Sequence, residues 1–425
     1  MFKRVLPLFL VAVMFLGACA APATPAAAPT AAPAAATAAP SAGQAITSTQ
    51  PVTSSQPAAS SSAGPIKIGL EIPLTGDFAF EGKGMQQSAQ LVVDEDNAAG
   101  GLLGRQVQLI VDDDKGDPQQ ASLVADRMVS NNVIAVIGSY SSSATEPASA
   151  TYNRAGILQI TPSATASRLT THGYKMFFRT CFPDDRQGLF ADEYMSEVLN
   201  AKNIAILHDN STFAQGLAND TKSYAAKYNL NIVYFDALNP KDSDFTPVLT
   251  KLKAANPDVV YFTGYYAQYG QLLKQAPSVG FKTQWLGGNG ANNTQVAAIA
   301  GNANAAGAEF TTEPLPQQLT SDVAKKFLAD FQAKYQTVPQ DIWWVETAEA
   351  YRVVAEAIRE TKSTDPKVMA AYLHSDQFKN FPGITGVIQG FDQNGDRIGT
   401  DFQAYVIGAD GSINVAPKQP PLTAQ

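Results

Sequence analysis

Short hydroxyl side chains are grouped where backbone amides can help them hold an anion. Ser141, Ser142 and Ser143 follow the apolar run 133–137, and Ser163, Ala164 and Thr165 follow the run 157–160. A loop of this kind that enters a helix binds a carboxylate through hydroxyls, peptide N–H groups and the field of the helix end, without lysine or arginine. Tyr265 and Tyr266 come after residues 259–262, and Gly287-Gly288-Asn289-Gly290 comes after Trp285, adding aromatic rings and an amide. This is chemistry for recognition.

Bond-making chemistry has thinner support. The chain has no phosphate-cradling glycine loop followed by Lys and Ser/Thr, no G-x-S-x-G and no H-E-x-x-H. His172, His208 and His374 form no triad-like arrangement with Cys181, which is expected to be a buried structural thiol. Asp112-Asp113-Asp114 ends a strand-like run, where carboxylates usually meet water or cap backbone. Asp392, Asn394 and Asp396 imitate the start of a calcium loop, but Arg397 stands where such a loop needs Gly and Gln403 where it needs Glu. No enzyme, cofactor or metal site is expected.

The elements that must position the hydroxyl loops read as alternating strands and helices. Residues 66–72 form a strand broken by Pro73, and Gly76 and Gly82 bracket a loop before a helix that stops at Gly100-Gly101. Residues 106–111 form the next strand, and Asp117-Pro118 opens a helix to about Ser130 with the Asp as cap. Strands at 133–137 and 157–160 flank a further helix. The alternation restarts after Arg179, with strands at 203–207, 232–235, 259–262 and 284–286 and helices between them. Helices follow at 322–335, 346–359 and 369–373. Short apolar strands alternating with helices predict parallel sheets covered on both faces, in two α/β lobes. Residues 384–389 and 402–407 read as two strands joined by a turn.

Composition sets the setting. The formal net charge is −8, which argues against a nucleic-acid binder that must meet phosphates with basic surface. Lys3 and Arg4 precede an apolar run from Val5 to Leu16, and Leu16-Gly17-Ala18-Cys19 ends it with small residues before a cysteine. A positive head, a short apolar core and a small-residue exit are the parts of a secretory signal. The cysteine at that exit looks like the lipobox of a bacterial lipoprotein, with lipid carried on Cys19. Residues 20–65 hold no charged or aromatic side chain, only Ala, Pro, Ser, Thr and a few others, which predicts an extended linker. With Cys19 lipidated, Cys181 has no intrachain partner.

Several segments carry a family resemblance. They are Pro73-Leu74-Thr75-Gly76, Asp117-Pro118-Gln119-Gln120-Ala121, Val136-Ile137-Gly138, Ser163-Ala164-Thr165, Phe178-Arg179-Thr180, Ile206-Leu207-His208-Asp209 and Gly264-Tyr265-Tyr266. In this order and spacing, from residue 66 to about 412, the chain resembles the branched-chain amino-acid (Leu/Ile/Val)-binding proteins of ABC uptake systems. The resemblance implies the type I periplasmic-binding fold, two Rossmann-like lobes joined by three hinge crossings. Crossings are then expected near 179–182, 310–313 and 386–388. Lobe one would comprise 66–180 plus 313–386, and lobe two 181–312 plus 387–414, with a tail at 415–425.

The resemblance also implies a site. Ser142 and Thr165, with the backbones of Ser141 and Ala164, are expected to hold a ligand carboxylate. Tyr265 would contact the ligand from lobe two, with Phe213 and Phe182 near the closing cleft. Relatives meet the ligand ammonium with an acid, whereas this sequence has Asn289. They commonly carry Tyr where this chain has Glu81. An amide in place of a carboxylate removes a charge-assisted bond, and Glu81 would either restore the charge or select a basic or amide-bearing ligand. A disulfide frequent in relatives is absent, its positions being Gly116 and Ser141.

The implied protein is a monomeric extracytoplasmic receptor, lipid-anchored to the membrane. It would deliver an amino acid, branched-chain or otherwise aliphatic, to the membrane subunits of an ABC permease. Alternatives are a receptor for an amide, an amide-like solute or a polar amino acid, and a ligand-sensing module of the same fold.

Overall fold

Short central strands rich in buried apolar residues, such as Ile66–Ile72, Ala135–Gly138, Asn203–His208 and Val259–Phe262, build the frame. The computed structural model describes residues 64–421. The signal segment, Cys19 and all but the end of the linker lie outside them. The first set runs β1 (Ile66–Ile72), α1 (Ala79–Ala98), β2 (Val107–Asp113), α2 (Pro118–Ser130), β3 (Ala135–Gly138), α3 (Ser142–Ala155), β4 (Leu158–Thr161) and β5 (Phe177–Arg179). Its five strands are parallel in the order β2-β1-β3-β4-β5.

The second set runs α4 (Asp184–Glu193), β6 (Asn203–His208), α5 (Thr212–Tyr224), β7 (Asn231–Ala237), α6 (Thr246–Ala255), β8 (Val259–Phe262), α7 (Tyr266–Gln275), β9 (Gln284–Gly287), α8 (Gln295–Ala300), α9 (Asn302–Ala305) and β10 (Glu309–Thr312). After it come α10 (Asp322–Tyr335), α11 (Ile342–Thr361), α12 (Pro366–Leu373), β11 (Phe381–Gly383), β12 (Gly386–Ile388), β13 (Gln403–Ile407) and β14 (Ile413–Val415). The second sheet has the order β14-β13-β10-β9-β8-β6-β7. It is parallel from β10 to β7, with β13 and β14 antiparallel at one edge.

The molecule is thus an α/β protein of two lobes, and the chain passes between the sheets three times. It leaves the first after β5. It returns after β10, because α11 packs on α1, β3 and β4. It leaves again between β12 and β13. No helix among the described residues is long and apolar enough to cross a membrane.

Local sequence explains several element ends. Asp117 caps α2 by accepting from the amides of Gln119 and Gln120, with Pro118 in the first turn. Ser141 caps α3 by accepting from Ala144 N, and Gly156 ends it in the left-handed region at φ 69°. The carboxylate run at the end of β2 is structural: Asp112 pairs with Arg127, Asp113 accepts from Leu74 N, Thr75 and Lys115 N, and Asp114 accepts from Gly116 N and Ser139 Oγ.

Two expectations need correction. Gly82 lies inside α1, not in a loop. The helix starts at Ala79, and a β-carbon at Gly82 would stand 2.0 Å from Pro73 O, so the glycine marks close approach. The strands near 384–389 and 402–407 do not pair with each other either. β12 pairs with β11, while β13 pairs with β10 and β14. Glu349 of α11 accepts from the amides of Ile384 and Thr385 and fixes the β11–β12 turn against the first lobe. The intervening Asp392–Asp396 segment is a turn, in which Asp392 Oδ1 accepts from Asn394 N at 2.8 Å and Asp396 N at 3.0 Å.

Candidate functional site

In both sheets the strand order reverses next to the cleft. In the first sheet the order reverses between β1 and β3, and in the second between β6 and β8. The crevice outside the carboxyl ends of such strands is the usual ligand position in open α/β sheets. Here it is a narrow cavity lined by Tyr140, Ser142, Ser163, Thr165, Phe213, Tyr265, Asn289, Gly290 and Trp343. The first four come from the loops after β3 and β4, and Trp343 from the start of α11. The remaining four follow β6, β8 and β9 on the other lobe.

Hydrogen bonds fix the hydroxyl wall. Thr161 Oγ1 donates to Ser139 O at 2.9 Å and accepts from Ala164 N at 3.1 Å, tying the loop after β4 to the loop after β3. Ser163 Oγ donates to Tyr140 O at 3.0 Å. Ser142 Oγ accepts from Ala166 N at 3.2 Å, which leaves its own proton for a ligand. Arg179, fully buried, donates to Ala164 O at 3.2 Å and Ala166 O at 3.1 Å while its Nε is held by Asp396. One guanidinium therefore braces the Ser163–Thr165 loop from behind.

The opposite wall is aromatic. Tyr265 packs against Phe213 with ring centroids 5.3 Å apart and against Phe78 of the first lobe at 4.7 Å. Burial pushes the Tyr140 and Tyr265 phenols well above their ordinary range, so both remain neutral hydrogen-bonding groups. No side chain lining this cavity carries a formal charge. Phe78 and Tyr265 border an outer chamber with about 880 Å³ of open space, also lined by Asp77, Ser141, Ser143 and Asp209.

Of the residues singled out in the sequence, Ser142, Thr165, Phe213, Tyr265 and Asn289 come together around the cavity. The others do not reach its wall. Ser141 caps α3, and its hydroxyl lies 3.4 Å from Gly116 O in the outer chamber. Both backbone groups of Ala164 are bonded elsewhere, to Thr161 and Arg179. Phe182 sits in the first crossing beneath the Arg397 guanidinium, with its amide on Glu313 Oε1 at 2.9 Å. Glu81 is turned away into a buried contact with Trp344 and Asn293. Sequence reasoning passed over Tyr140, Gly290 and Trp343 as contacts, and named Ser163 only as part of a hydroxyl loop. Ser163 and Gly290 lie in segments already noted, and Tyr140 stands directly before Ser141. Trp343 left no signal, because α11 begins four residues before the expected start.

The lobes also meet on both flanks of the cavity. On one side Thr212 donates from its amide to Ser143 Oγ and from its hydroxyl to Glu146 Oε2, and Ser167 Oγ donates to Asp220 Oδ2 at 2.8 Å. On the other, Asn292 and Asn293 donate to Asp341 and Glu81. A larger crevice of about 1220 Å³ lies between α4 and the third crossing, away from the strand ends. It has no convergent set of hydroxyls, so the smaller cavity is the candidate site.

Comparison with known proteins agrees with this geometry. Residues 65–411 match the periplasmic binding protein family model. The chain is 36% identical over 345 residues to the leucine-, isoleucine-, valine-, threonine- and alanine-binding protein of Pseudomonas aeruginosa, covering 81% of this chain and 90% of that protein. It is 34% identical to the Leu/Ile/Val-binding protein of Escherichia coli K12, covering 83% and 93%. Among solved structures, a leucine-binding protein of Thermotoga maritima superimposes with a TM-score of 0.78 at 27% identity, over 84% of this chain and 99% of that one. An isoleucine-bound branched-chain amino-acid transporter substrate-binding protein of Streptococcus pneumoniae gives 0.73 at 31% identity, over 83% and 99%. A two-lobed fold with hydroxyls facing aromatics at the strand ends, and likeness along nearly the whole described chain, lead to one conclusion: the chain belongs to the Leu/Ile/Val-binding family of type I periplasmic binding proteins, the extracytoplasmic solute-binding components of ABC importers.

Proposed function

We propose that this protein captures an aliphatic amino acid between its lobes and presents it to the membrane subunits of an ABC permease. The observation that carries the reading is the hydroxyl wall of Ser142, Ser163 and Thr165 beside the start of α3, with Trp343 on the same lobe and Tyr265 and Phe213 opposite. The hydroxyls and helix end suit a carboxylate, and the rings suit an apolar side chain. Relatives that bind leucine, isoleucine and valine support the same class. Cys19 is proposed as the lipid anchor and residues 20–65 as the leash between membrane and receptor.

A second reading has one specific observation behind it. The cavity offers Asn289 and no charged side chain, which favours an amide or another uncharged polar solute. Calorimetric titration with aliphatic L-amino acids, their amides and their deaminated carboxylates separates the two. Stoichiometric binding of leucine, isoleucine or valine, with loss on removing the amino group, supports the first. Preference for amides supports the second, and no binding by either class rejects both.

A further inference from the structure

Two carboxylic acids meet beside the cavity where the lobes touch. Glu81 comes from α1, and Asp341 caps α11; both are buried. The second lobe faces them with two consecutive buried amides. Asn293 Nδ2 donates to Glu81 Oε1 at 2.7 Å, and Asn292 Nδ2 donates to Asp341 Oδ1 at 3.0 Å. Within the first lobe, Trp344 Nε1 donates to Glu81 Oε2 at 3.0 Å and Trp343 N to Asp341 Oδ1 at 3.2 Å. Asp341 Oδ2 has no such donor and interacts with Glu81.

The other ionisable groups that face the pair are phenols. Tyr140 reaches it from the loop before α3 and Tyr266 from α7 of the second lobe. Tyr266 in turn donates to Asp77 O at 3.1 Å. Among the described residues no lysine, arginine or histidine is among the leading influences on either acid. Two adjacent acids without a cation cannot both ionise in a dry interface.

We propose that Glu81 and Asp341 share a proton when the lobes close, and that with Asn292 and Asn293 they form a latch that makes ligand capture take up a proton. This rests on the reading that the ligand binds between the lobes. The latch is close to the cavity on both sides. Asn289 and Gly290 line the wall three residues before Asn292-Asn293, and Trp343 lines it two residues after Asp341. Burial raises Glu81 to about 7 and raises Asp341 as well. In an open cleft water reaches both acids, which return toward the ordinary carboxylate range near ~4. The closed form then binds more protons than the open one. Its advantage is complete below the open-state value and is lost as pH rises through about 7. Affinity therefore rises as pH falls between those limits, by up to about tenfold per pH unit for one proton taken up.

The test uses the full chain in mild detergent. L-leucine is titrated calorimetrically from pH 5 to pH 8, in paired buffers of different ionisation enthalpy. Wild type is expected to take up to one proton per ligand and to bind more tightly at lower pH; Glu81→Gln should remove both effects. In parallel, amide hydrogen exchange over residues 288–294 is followed without ligand and corrected for intrinsic rate. Protection should rise as pH falls in wild type and lose that dependence in both Glu81→Gln and Asn293→Ala. Protection independent of pH overturns the latch whatever leucine does, as does proton uptake that persists in Glu81→Gln. Failure of leucine to bind while the exchange dependence holds removes the ligand assignment and leaves the latch standing.

Discussion

At the scale of single residues, the hydroxyl loop depends on a brace that makes no contact with the cavity. Arg179 holds Ala164 O and Ala166 O, and Asp396 from the third crossing holds Arg179. Asp396→Ala would leave a fully buried guanidinium without its counter-charge. The expected cost is about 3–5 kcal/mol of stability, typical of breaking one half of a buried pair, together with weaker ligand binding. Urea unfolding and calorimetry on the same variant check the two. A loss under 1 kcal/mol would show that Arg179 finds another partner. Thr165→Ala tests the wall itself. Removing one hydrogen bond to a charged carboxylate should weaken leucine binding by about 1.5–3 kcal/mol. Unaltered affinity would take Thr165 out of the site.

At the scale of elements, α1 and α11 pack closely because glycine permits it. A β-carbon on Gly84 would lie 1.8 Å from the Trp344 ring, and one on Gly82 would lie 2.0 Å from Pro73 O. Gly84→Ala should destabilise the first lobe by about 1–3 kcal/mol through overpacking, measured as a lower urea midpoint. It should also disturb Glu81, since Trp344 is displaced. An unchanged midpoint would mean that Trp344 has room to move. Element legibility followed the same physics. The buried runs of β3 and β6 announce themselves by aliphatics, and β8 by Val259, Val260 and two aromatics. β10, Glu309–Thr312, has no such run, yet it lies inside the second sheet between β9 and β13. Its place is set by neighbours far away in the chain.

At the scale of the whole molecule, the interior holds more acids than cations to pair with them. Burial raises Asp114 to about 7, Asp192 to about 8 and Glu346 to about 6. For each, the folded state binds protons that the unfolded chain has released. Their contribution to stability is complete below the ordinary carboxylate range and is lost as pH rises through about 6 to 8. Asp94 and Asp113 are held below their ordinary value, but they are largely exposed and act only at lower pH. The melting temperature should therefore fall by several degrees between pH 5.5 and pH 8.5. A flat or rising profile would show that these acids are solvated in the folded protein.

The sequence by itself determined the alternation of strands and helices, the two-lobed α/β class, the hydroxyl loops and five of the residues around the cavity. The elements and loops follow from local rules: apolar runs, caps such as Asp117-Pro118, and turns at strand ends. The ligand roles of Ser142, Thr165, Phe213, Tyr265 and Asn289 came from the family resemblance. It could not determine which strands neighbour which, so the hairpin expected near residues 384–407 became two strands on different sheets. Nor could it place Glu81. A carboxylate in a loop-like glycine context looks free to meet a ligand, and only packing shows it buried against Asn293 and Trp344, 212 and 263 residues away. Side-chain direction depends on contacts between distant segments, and those exist only once the chain has closed on itself.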